Sequence, residues 1–277
     1  MTINCKGQLI DLSRPKVMGI LNVTPDSFYD GGKFGSDSEI LGRAQKMLSD
    51  GATFIDLGGY SSRPGADFVS TDEEIGRLVP AIEILLREFP DALLSIDTFR
   101  ASVARACIEA GACIINDISA SWLDDHMIDT VAELQVPYIM MHMRGTPATM
   151  QQFTNYDDLV KDILYYFSER IAQARKAGIN DLILDPGFGF SKTLSQNYEL
   201  LHKLEAFAAT NLPLLVGISR KSMIYKLLQT KAEEALNGTT VLNTIALSKG
   251  ANILRVHDVR AAMEAVAIRD QLIINNS

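Results

Sequence analysis

Short apolar runs that alternate with amphipathic segments are the feature that most limits how this chain can fold. Eight such runs occur, and each leads to a polar residue and then to a segment of helical periodicity. They are Val17–Val23, Thr53–Gly58, Ala92–Asp97, Cys113–Ile118, Pro137–His142, Asp181–Asp185, Leu214–Ser219 and Asn252–His257. Strands that are apolar on both faces are typical of a parallel sheet covered by helices. The pattern therefore predicts an α/β fold.

Helical periodicity fills the intervals between these runs. The predicted helical segments include Ser38–Asp50, Glu73–Glu88, Ala101–Ala110, Ile128–Leu134, Tyr156–Ala177 and Gly238–Lys249. Glycine stands where four helical segments should end, at Gly51, Gly111, Gly178 and Gly250, and glycine is the residue that most often ends a helix. Strands and helices that alternate eight times over about 250 residues predict a (β/α)8 TIM barrel. An open doubly wound sheet is the competing fold, but it usually carries a glycine fingerprint after its first strand.

The start of the chain and its composition refine this prediction. Residues 3–12 alternate around Lys6-Gly7, which predicts a short N-terminal β-hairpin before the barrel. No linker or change in composition interrupts the chain, so we expect a single domain over residues 1–277. With 47% hydrophobic and 22% charged residues, the composition is that of a soluble globular protein.

Charge and cysteine content exclude several classes of function. The formal net charge of −8 argues against a nucleic-acid partner, which requires a basic surface. We also expect no membrane association, because no apolar run is long enough to span a bilayer and no signal peptide opens the chain. Cys5, Cys107 and Cys113 form no close-spaced metal or redox pair, which fits a cytoplasmic protein.

Polar residues stand at the ends of the predicted strands. In a TIM barrel the carboxyl ends of the strands surround one site. Any one of these residues could simply support the fold, but so many in one chain indicate a functional site. They are Asn22, Asp56, Asp97, Asn116, His142, Asp185, Ser219 with Lys221, and Arg255 with His257. We assign no role to His142, which could be a core histidine.

These strand-end residues fall into two chemical groups. Asp97, Asn116 and Asp185 offer acceptors and an amide, which suit a planar heterocycle rich in N–H donors. A second group is cationic and suits an anion: Arg63, Lys221, Arg255 and His257. Residues 187–193, GFGFSKT, superficially resemble a phosphate loop but fit neither the dinucleotide nor the P-loop spacing. No zinc-ligand spacing occurs, so we expect any metal to be Mg²⁺ bound by oxygen ligands and a phosphate.

Five motifs in this chain resemble those of the dihydropteroate synthase family, in the same order. They are NVTPDSF (22–28), GGYSSRPGA (58–66), DPGFGFSK (185–192), GISRKS (217–222) and RVHDV (255–259). The resemblance runs from about Val17 to Val259. Tyr60 and Ser62 stand where the family more often has Glu and Thr, and Ser62 preserves the hydroxyl.

The resemblance implies an enzyme of folate biosynthesis, a transferase and a sulfonamide target. Its reaction would join 6-hydroxymethyl-7,8-dihydropterin diphosphate to p-aminobenzoate, giving 7,8-dihydropteroate and pyrophosphate. Mg²⁺ would be the cofactor, and a dissociative substitution would proceed without a strong base. The family also implies a homodimer formed by late helices, for which the apolar positions in Gly238–Leu247 and Ala261–Ile274 are suited.

The resemblance further implies a role for particular residues. The pterin would be bound by Asp97, Asn116, Met140, Asp185, Phe190, Gly217, Lys221 and Arg255. The diphosphate would be bound by Asn22, Arg63, Ser219, Arg255 and His257, and the metal by Asn22 and Asp30. p-Aminobenzoate would be bound by Phe28, Ser62, Pro64, Lys221 and Ser222. The catalytic residues would be Asp97, Lys221, Arg63 and Arg255, and we expect loops Thr24–Phe34 and Ser61–Phe68 to close over the substrates.

Two alternatives stay open from the sequence. The first is a pterin-binding barrel that serves a corrinoid methyltransferase, but such a barrel needs no cationic diphosphate site. The second is a non-catalytic paralogue that binds pterins or serves as a partner. Loss of Asn22, Arg63 or Lys221 would indicate such a paralogue, and this chain has all three.

Overall fold

A two-stranded hairpin and an eight-stranded parallel sheet make up the β-structure. The computed structural model describes residues 1–23, 32–60 and 69–274, without the side chains of residues 32–36 and 273–274. The hairpin consists of β1 (Thr2–Cys5) and β2 (Gln8–Asp11). The strands of the larger sheet are β3 (Lys16–Asn22), β4 (Phe54–Gly58), β5 (Leu93–Asp97), β6 (Ile114–Asp117), β7 (Tyr138–Met141), β8 (Leu182–Asp185), β9 (Leu215–Val216) and β10 (Ile253–Val256).

The eight-stranded sheet closes on itself. Its strand order is β8-β7-β6-β5-β4-β3-β10-β9, and a parallel bridge between Leu184 and Leu214 joins the two outermost strands. All eight predicted strands are present, and the predicted barrel is confirmed.

Helices surround this barrel. Within the described residues they are α1 (Gly32–Ser49), α2 (Thr71–Glu88), α3 (Ala101–Glu109), α4 (Met127–Leu134), α5 (Leu159–Lys176), α6 (Leu194–His202), α7 (Ser222–Leu228), α8 (Leu236–Ser248) and α9 (Val259–Ile274). None of these helices has the length and apolar character needed to cross a membrane, as far as the chain is described. The predicted helix at Tyr156 begins later, at Leu159, because the Asp158 side chain caps it by accepting from Lys161 N.

The helix α6 was not among the predicted segments. A capping box begins it: Thr193 Oγ1 accepts from Gln196 N at 3.2 Å, and Thr193 N donates to Gln196 Oε1 at 2.8 Å. The spacing T-x-x-Q was therefore an available signal. The glycines predicted to end helices do so, since Gly51, Gly111, Gly178 and Gly250 all have positive φ.

The hairpin seals the amino end of the barrel. Lys6 and Gly7 both have positive φ, at 52° and 80°, which is the geometry of a two-residue hairpin turn. The apolar side chains of the hairpin pack against one inward-facing residue from each barrel strand. This buried cluster, called here the amino-end cluster, comprises Ile3, Cys5, Ile10, Leu12, Met18, Phe54, Leu93, Cys113, Ile114, Ile139, Ile183, Leu215 and Ile253. Access to the barrel interior is therefore from the carboxyl end.

Candidate active site

The inner face of the barrel becomes polar toward its carboxyl end. Side chains two positions apart on a strand point to the same face. The residues two positions after Phe54, Ile114, Ile183 and Ile253 of the amino-end cluster therefore also face inward. They are Asp56, Asn116, Asp185 and Arg255.

Arg255 links two carboxylates inside this end of the barrel. Its Nε donates to Asp56 Oδ2 at 2.6 Å, and its second terminal nitrogen donates to Asp97 Oδ2 at 2.5 Å. Asn116 Nδ2 donates to the same Asp56 oxygen at 3.0 Å. Burial opposes the charge of Arg255, but Asp56 and Asp97 outweigh burial and raise the pKa of Arg255. The guanidinium therefore stays charged and is held by two carboxylates, one of which Asn116 also holds.

The two carboxylates share this one guanidinium. Burial raises the pKa of Asp97 to about 7, against the lowering effect of Arg255 and with a further rise caused by Asp56. Asp56 is fully buried, and its second oxygen, Oδ1, has no hydrogen-bond partner within the described structure. The network thus retains an acceptor and a partly exposed carboxyl, Asp97, for a ligand with N–H groups.

Asp185 and Lys221 lie on the other side of the same space. Asp185 Oδ1 accepts from Gly187 N at 2.8 Å, and burial raises the pKa of Asp185 while Lys221 opposes that rise. A Cβ at Gly217 would lie 3.9 Å from Asp185 Oδ2 and 3.9 Å from Lys221 Nζ. The absence of a side chain at Gly217 therefore leaves room between these groups and Arg255, which is the predicted position of the pterin.

The loop after β8 receives the Lys221 side chain. Lys221 Nζ donates to Phe188 O at 2.5 Å and lies 4.8 Å from the centre of the Phe190 ring. Burial lowers the pKa of Lys221 to about 8, while Asp185 opposes the shift and Arg255 adds to it. Lys221 is thus still largely protonated at pH 7, and its ammonium group is held by a carbonyl and an aromatic face.

Ser219 and His257 form a hydrogen-bonded pair at the rim of this space. Ser219 Oγ and His257 Nδ1 are 3.0 Å apart, and His257 N donates to Ser219 Oγ at 3.2 Å. His257 is exposed and Arg255 precedes it by two residues on the same side of the chain. The predicted diphosphate residues Ser219, Arg255 and His257 are therefore neighbours, as an anion site requires.

Arg220 turns away from the site, although it stands between two site residues. Its guanidinium makes two bonds of 2.8 Å to the Asp258 carboxylate, and it also donates to Glu233 O at 2.8 Å. Its backbone has φ of 55°, a conformation that a non-glycine residue adopts only when its surroundings hold it. This anchor lets Ser219 and Lys221 on either side reach the site.

Met140 does not join the predicted pterin site. It is fully buried with Tyr138 and Leu184, which face the helices rather than the barrel interior. Its neighbour Met141 instead packs in a cluster with Phe190. A shift of one residue along a strand exchanges the two faces, so Met141 occupies the side that the sequence assigned to Met140.

Several predicted residues lie outside the described part of the chain. They are Phe28, Asp30, Ser62, Arg63 and Pro64, and the two loops expected to close belong largely to the same segments. Of the predicted metal ligands, Asn22 is described. A Cβ at Gly58 would lie 3.4 Å from Asn22 Oδ1, so this glycine leaves space beside the amide oxygen. A neutral amide oxygen with a carboxylate and a diphosphate is a donor set that suits Mg²⁺.

Sequence reasoning gave no role to two residues that matter to the site. Asp56 was noted only as a strand-end residue, yet it binds both Arg255 and Asn116. A carboxylate inside the apolar strand Phe54–Gly58 was the available signal, because buried carboxylates need partners. Lys192 was noted without a role, in a discounted phosphate-loop pattern and in the motif DPGFGFSK, and it proves to be buried beside His142. No signal in the sequence pointed to that contact.

Comparisons with known proteins agree with this arrangement. Residues 18–257 match the family described as pterin binding enzyme. Dihydropteroate synthase of Escherichia coli (strain K12) is 47% identical over 270 residues, which cover 97% of this chain and 95% of that protein.

Solved structures agree as well. A Yersinia pestis dihydropteroate synthase in a sulfonamide drug complex has 46% identity and a TM-score of 0.92, covering 98% of this chain and 99% of that one. A Xanthomonas albilineans dihydropteroate synthase with 4-aminobenzoic acid has 39% identity and a TM-score of 0.91, with coverage of 98% and 97%. The five motifs and the similarity over nearly the whole chain therefore indicate the same family.

Proposed function

Because the chain belongs to the dihydropteroate synthase family of pterin-binding enzymes, we propose that it makes 7,8-dihydropteroate. Its substrates are 6-hydroxymethyl-7,8-dihydropterin diphosphate and p-aminobenzoate, and pyrophosphate is the second product. One observation carries this proposal: acceptors suited to a pterin and cations suited to a diphosphate face each other at one end of the barrel. We also propose that the enzyme works in the cytoplasm, because its three cysteines are buried free thiols.

The pterin lies between Asp185 and the Arg255 network. The ring's amino and N–H groups donate to the Asp185 carboxylate, and its carbonyl accepts from Lys221 Nζ. Asn116 and Asp97 take the opposite edge of the ring, while the guanidinium plane of Arg255 stacks on its face. Phe190 and Met141 close the apolar side, since both lie in one buried cluster.

The diphosphate extends from the pterin toward Ser219 and His257. Arg255 serves both ligands, and we expect Arg63 to complete the cationic group. Asn22, Asp30 and the diphosphate oxygens would hold Mg²⁺, which when bound neutralises charge on the leaving group. Ser222 follows Lys221 directly and offers a hydroxyl to the carboxylate of p-aminobenzoate. Phe28, Ser62 and Pro64 are the remaining residues that we assign to that pocket.

The reaction needs electrostatic stabilisation more than acid–base chemistry. The exocyclic C–O bond breaks and its electron pair leaves with the diphosphate, whose growing charge Arg255 and His257 stabilise. The cationic methylene left on the pterin lies near Asp97, whose carboxylate stabilises it when ionised. The neutral arylamine nitrogen then attacks this carbon and loses a proton to solvent. No nucleophilic side chain is required, so the carboxylates of Asp97 and Asp185 on either side of the pterin act as electrostatic groups.

The homodimer is also a proposal. Both α8 and α9 carry exposed apolar side chains, among them Val241, Ile245, Ile268 and Leu272, of which Ile268 is 63% and Leu272 is 64% exposed. Apolar side chains that share one surface are typical of an interface. Sedimentation of the wild-type chain should give a dimer, and Ile268→Glu should give a monomer. A wild-type monomer at micromolar concentration would remove this proposal without affecting the reaction.

A pyrophosphate-release assay tests the reaction. Purified protein is incubated with the dihydropterin diphosphate and Mg²⁺, with and without p-aminobenzoate, and dihydropteroate is quantified by chromatography. We expect dihydropteroate and pyrophosphate in equal amounts, and loss of both when Mg²⁺ is chelated. Calorimetric titration with pyrophosphate, with and without Mg²⁺, tests the metal without turnover. Tight pterin binding by folded protein that never releases pyrophosphate would instead support the non-catalytic paralogue.

A further inference from the structure

Lys192 is a buried lysine that does not face the substrate space. Its relative exposure is 3%, and its Nζ has three neighbours at hydrogen-bond distance. It donates to Gly187 O and to Phe190 O, both at 2.9 Å, and lies 3.1 Å from His142 Nδ1. Three acceptors match the three N–H donors of an ammonium group. Burial of such a group is costly unless it is fully hydrogen-bonded, so the arrangement points to a specific role.

Two of these acceptors are the ends of the loop that holds Lys221. Within this loop, Phe190 N donates to Gly187 O at 3.1 Å. The intervening Phe188 turns its carbonyl outward to Lys221 Nζ, and the Phe190 ring lies against the same ammonium group. Lys192 therefore binds the inner side of this turn, and Lys221 binds its outer side.

The third acceptor is the Nδ1 atom of His142, which gives this buried histidine a structural role. Because Lys192 donates to Nδ1, the neutral ring carries its proton on Nε2. Burial, reinforced by Lys192 and Arg144, keeps the pKa of His142 well below its ordinary value, so the ring stays neutral and can accept. The ring meets Tyr166 edge-on with centroids 4.9 Å apart. A Cβ on residue 187 would lie only 2.0 Å from His142 O, so only glycine fits at this position.

We propose that Lys192, supported by His142, is a positioning residue for Lys221. By holding the carbonyls of Gly187 and Phe190, it fixes the turn that presents the Phe188 carbonyl and the Phe190 ring to the Lys221 ammonium group. Its consequence for turnover rests on the function proposed above, in which Lys221 binds the pterin.

Electrostatics give this proposal a readout that does not depend on turnover. The charged groups that act on Lys221 are Asp185, Arg255 and Asp97. Lys192 lies behind the turn, and burial lowers its own pKa well below the ordinary value. Loss of Lys192 releases the carbonyls of Gly187 and Phe190, so the Phe188 carbonyl and the Phe190 ring lose their fixed position against the Lys221 ammonium group. Both groups favour the protonated amine, so their loss should lower the pKa of Lys221 further below about 8.

The experiment compares Lys192→Met with Lys203→Met, an exposed lysine just past α6 that pairs with Glu199. Pulse labelling with acetic anhydride across pH, read by peptide mass spectrometry, gives the titration of Lys221. We expect Lys192→Met to lower its midpoint by about one pH unit. We also expect the KM for the pterin substrate to rise about tenfold, since misplacement of a binding group weakens the complex. Lys203→Met should change neither value.

A second pair of variants covers the case in which Lys192→Met does not fold. His142→Leu removes the third acceptor and should move the Lys221 midpoint in the same direction by less. His142→Asn keeps an acceptor near the Nδ1 position and should restore the wild-type profile. Folded Lys192→Met or His142→Leu with an unchanged or raised Lys221 midpoint would overturn the proposal. If the variants shift the Lys221 titration but the wild-type protein shows no turnover, only the proposed reaction is overturned.

Discussion

The two ends of the barrel are built from the same strands but from opposite kinds of side chain. At the amino end, one inward apolar residue from each strand packs under the hairpin, and Phe54 at the centre is fully buried. Two residues further along, the same strands carry Asp56, Asn116, Asp185 and Arg255. The lower layer buries apolar surface, which stabilises the fold, whereas the upper layer buries charge.

Opposite pKa shifts show what the charged layer costs. Burial raises the pKa of Asp97 and lowers that of Lys221, so in both cases folding favours the neutral form. The carboxyl end is therefore less stable than an apolar layer of the same shape, and the amino end compensates for it. This division teaches that catalytic groups can be changed without unfolding the chain as long as the apolar layer is intact.

The largest expected effect is on turnover, at the carboxyl end. Arg255→Ala removes the group that joins Asp56 to Asp97 and that we propose to bind the diphosphate, so turnover should fall by about 1,000-fold. Because two buried carboxylates lose their partner, the free energy of unfolding should also fall by about 3 kcal/mol. Steady-state kinetics and urea denaturation measure the two effects, with the exposed Arg260→Ala as the control. Turnover near wild type in folded Arg255→Ala would remove this residue from the reaction.

The next effect is on stability alone, at the amino end. Phe54→Ala leaves a cavity under the hairpin and should lower the free energy of unfolding by about 3–5 kcal/mol. The kcat at a temperature where the variant is folded should stay within twofold of wild type, since Phe54 does not reach the site. Leu9→Ala, an exposed residue of the same hairpin, is the control. A large fall in kcat with little loss of stability would contradict the division between the two ends.

A smaller effect, at Lys221, should increase stability rather than decrease it. Lys221→Met removes a buried charge, so at pH 7 the free energy of unfolding should rise by about 1–2 kcal/mol while turnover falls. The wild-type penalty is complete below about pH 8, where folded and unfolded Lys221 are both protonated. Between about pH 8 and 10.5 only the unfolded state keeps the proton, so the penalty is progressively relieved.

Urea denaturation of both proteins from pH 7 to pH 10 measures this difference. The advantage of Lys221→Met should shrink steadily above pH 8. The control is Lys226→Met, an exposed residue of α7. If the variant is less stable than wild type at pH 7, then Asp185 and Phe188 stabilise the ammonium group by more than burial costs.

The fold was predictable because its signal is local and repeated. Each barrel strand is a short apolar run, and each helix-ending glycine stands at a fixed place after its helix, as Gly51 does. The strand-end residues Asp97, Asn116 and Asp185 followed from strand order alone, since parallel strands bring their carboxyl ends together. Met140 was misplaced because the choice between adjacent residues depends on register, which a wholly apolar strand does not reveal.

The contacts that the sequence could not indicate join residues far apart in the chain. Lys192 and His142 are 50 positions apart, and Arg220 and Asp258 are 38 apart. In both cases the side chains support a backbone turn of positive φ, at Gly187 or at Arg220. At Arg220 the residue type gives no sign of that conformation. Residue type predicts that a lysine or arginine carries charge, but its partner is set only when the strands are assembled.

The smallest expected effect tests such a support at Arg220. Arg220→Met and Arg220→Gly both lose the bonds to Asp258 and Glu233 O, but only glycine is unstrained at φ of 55°. Arg220→Gly should therefore be more stable than Arg220→Met by about 1 kcal/mol, while both raise the KM for the pterin substrate a few-fold. Thermal unfolding and steady-state kinetics measure the two effects, and Asp258→Asn should reproduce the rise in KM without changing the backbone. Equal stability of the two Arg220 variants would mean that the turn relaxes once its anchor is lost, so that the side chain alone maintains the backbone conformation between Ser219 and Lys221.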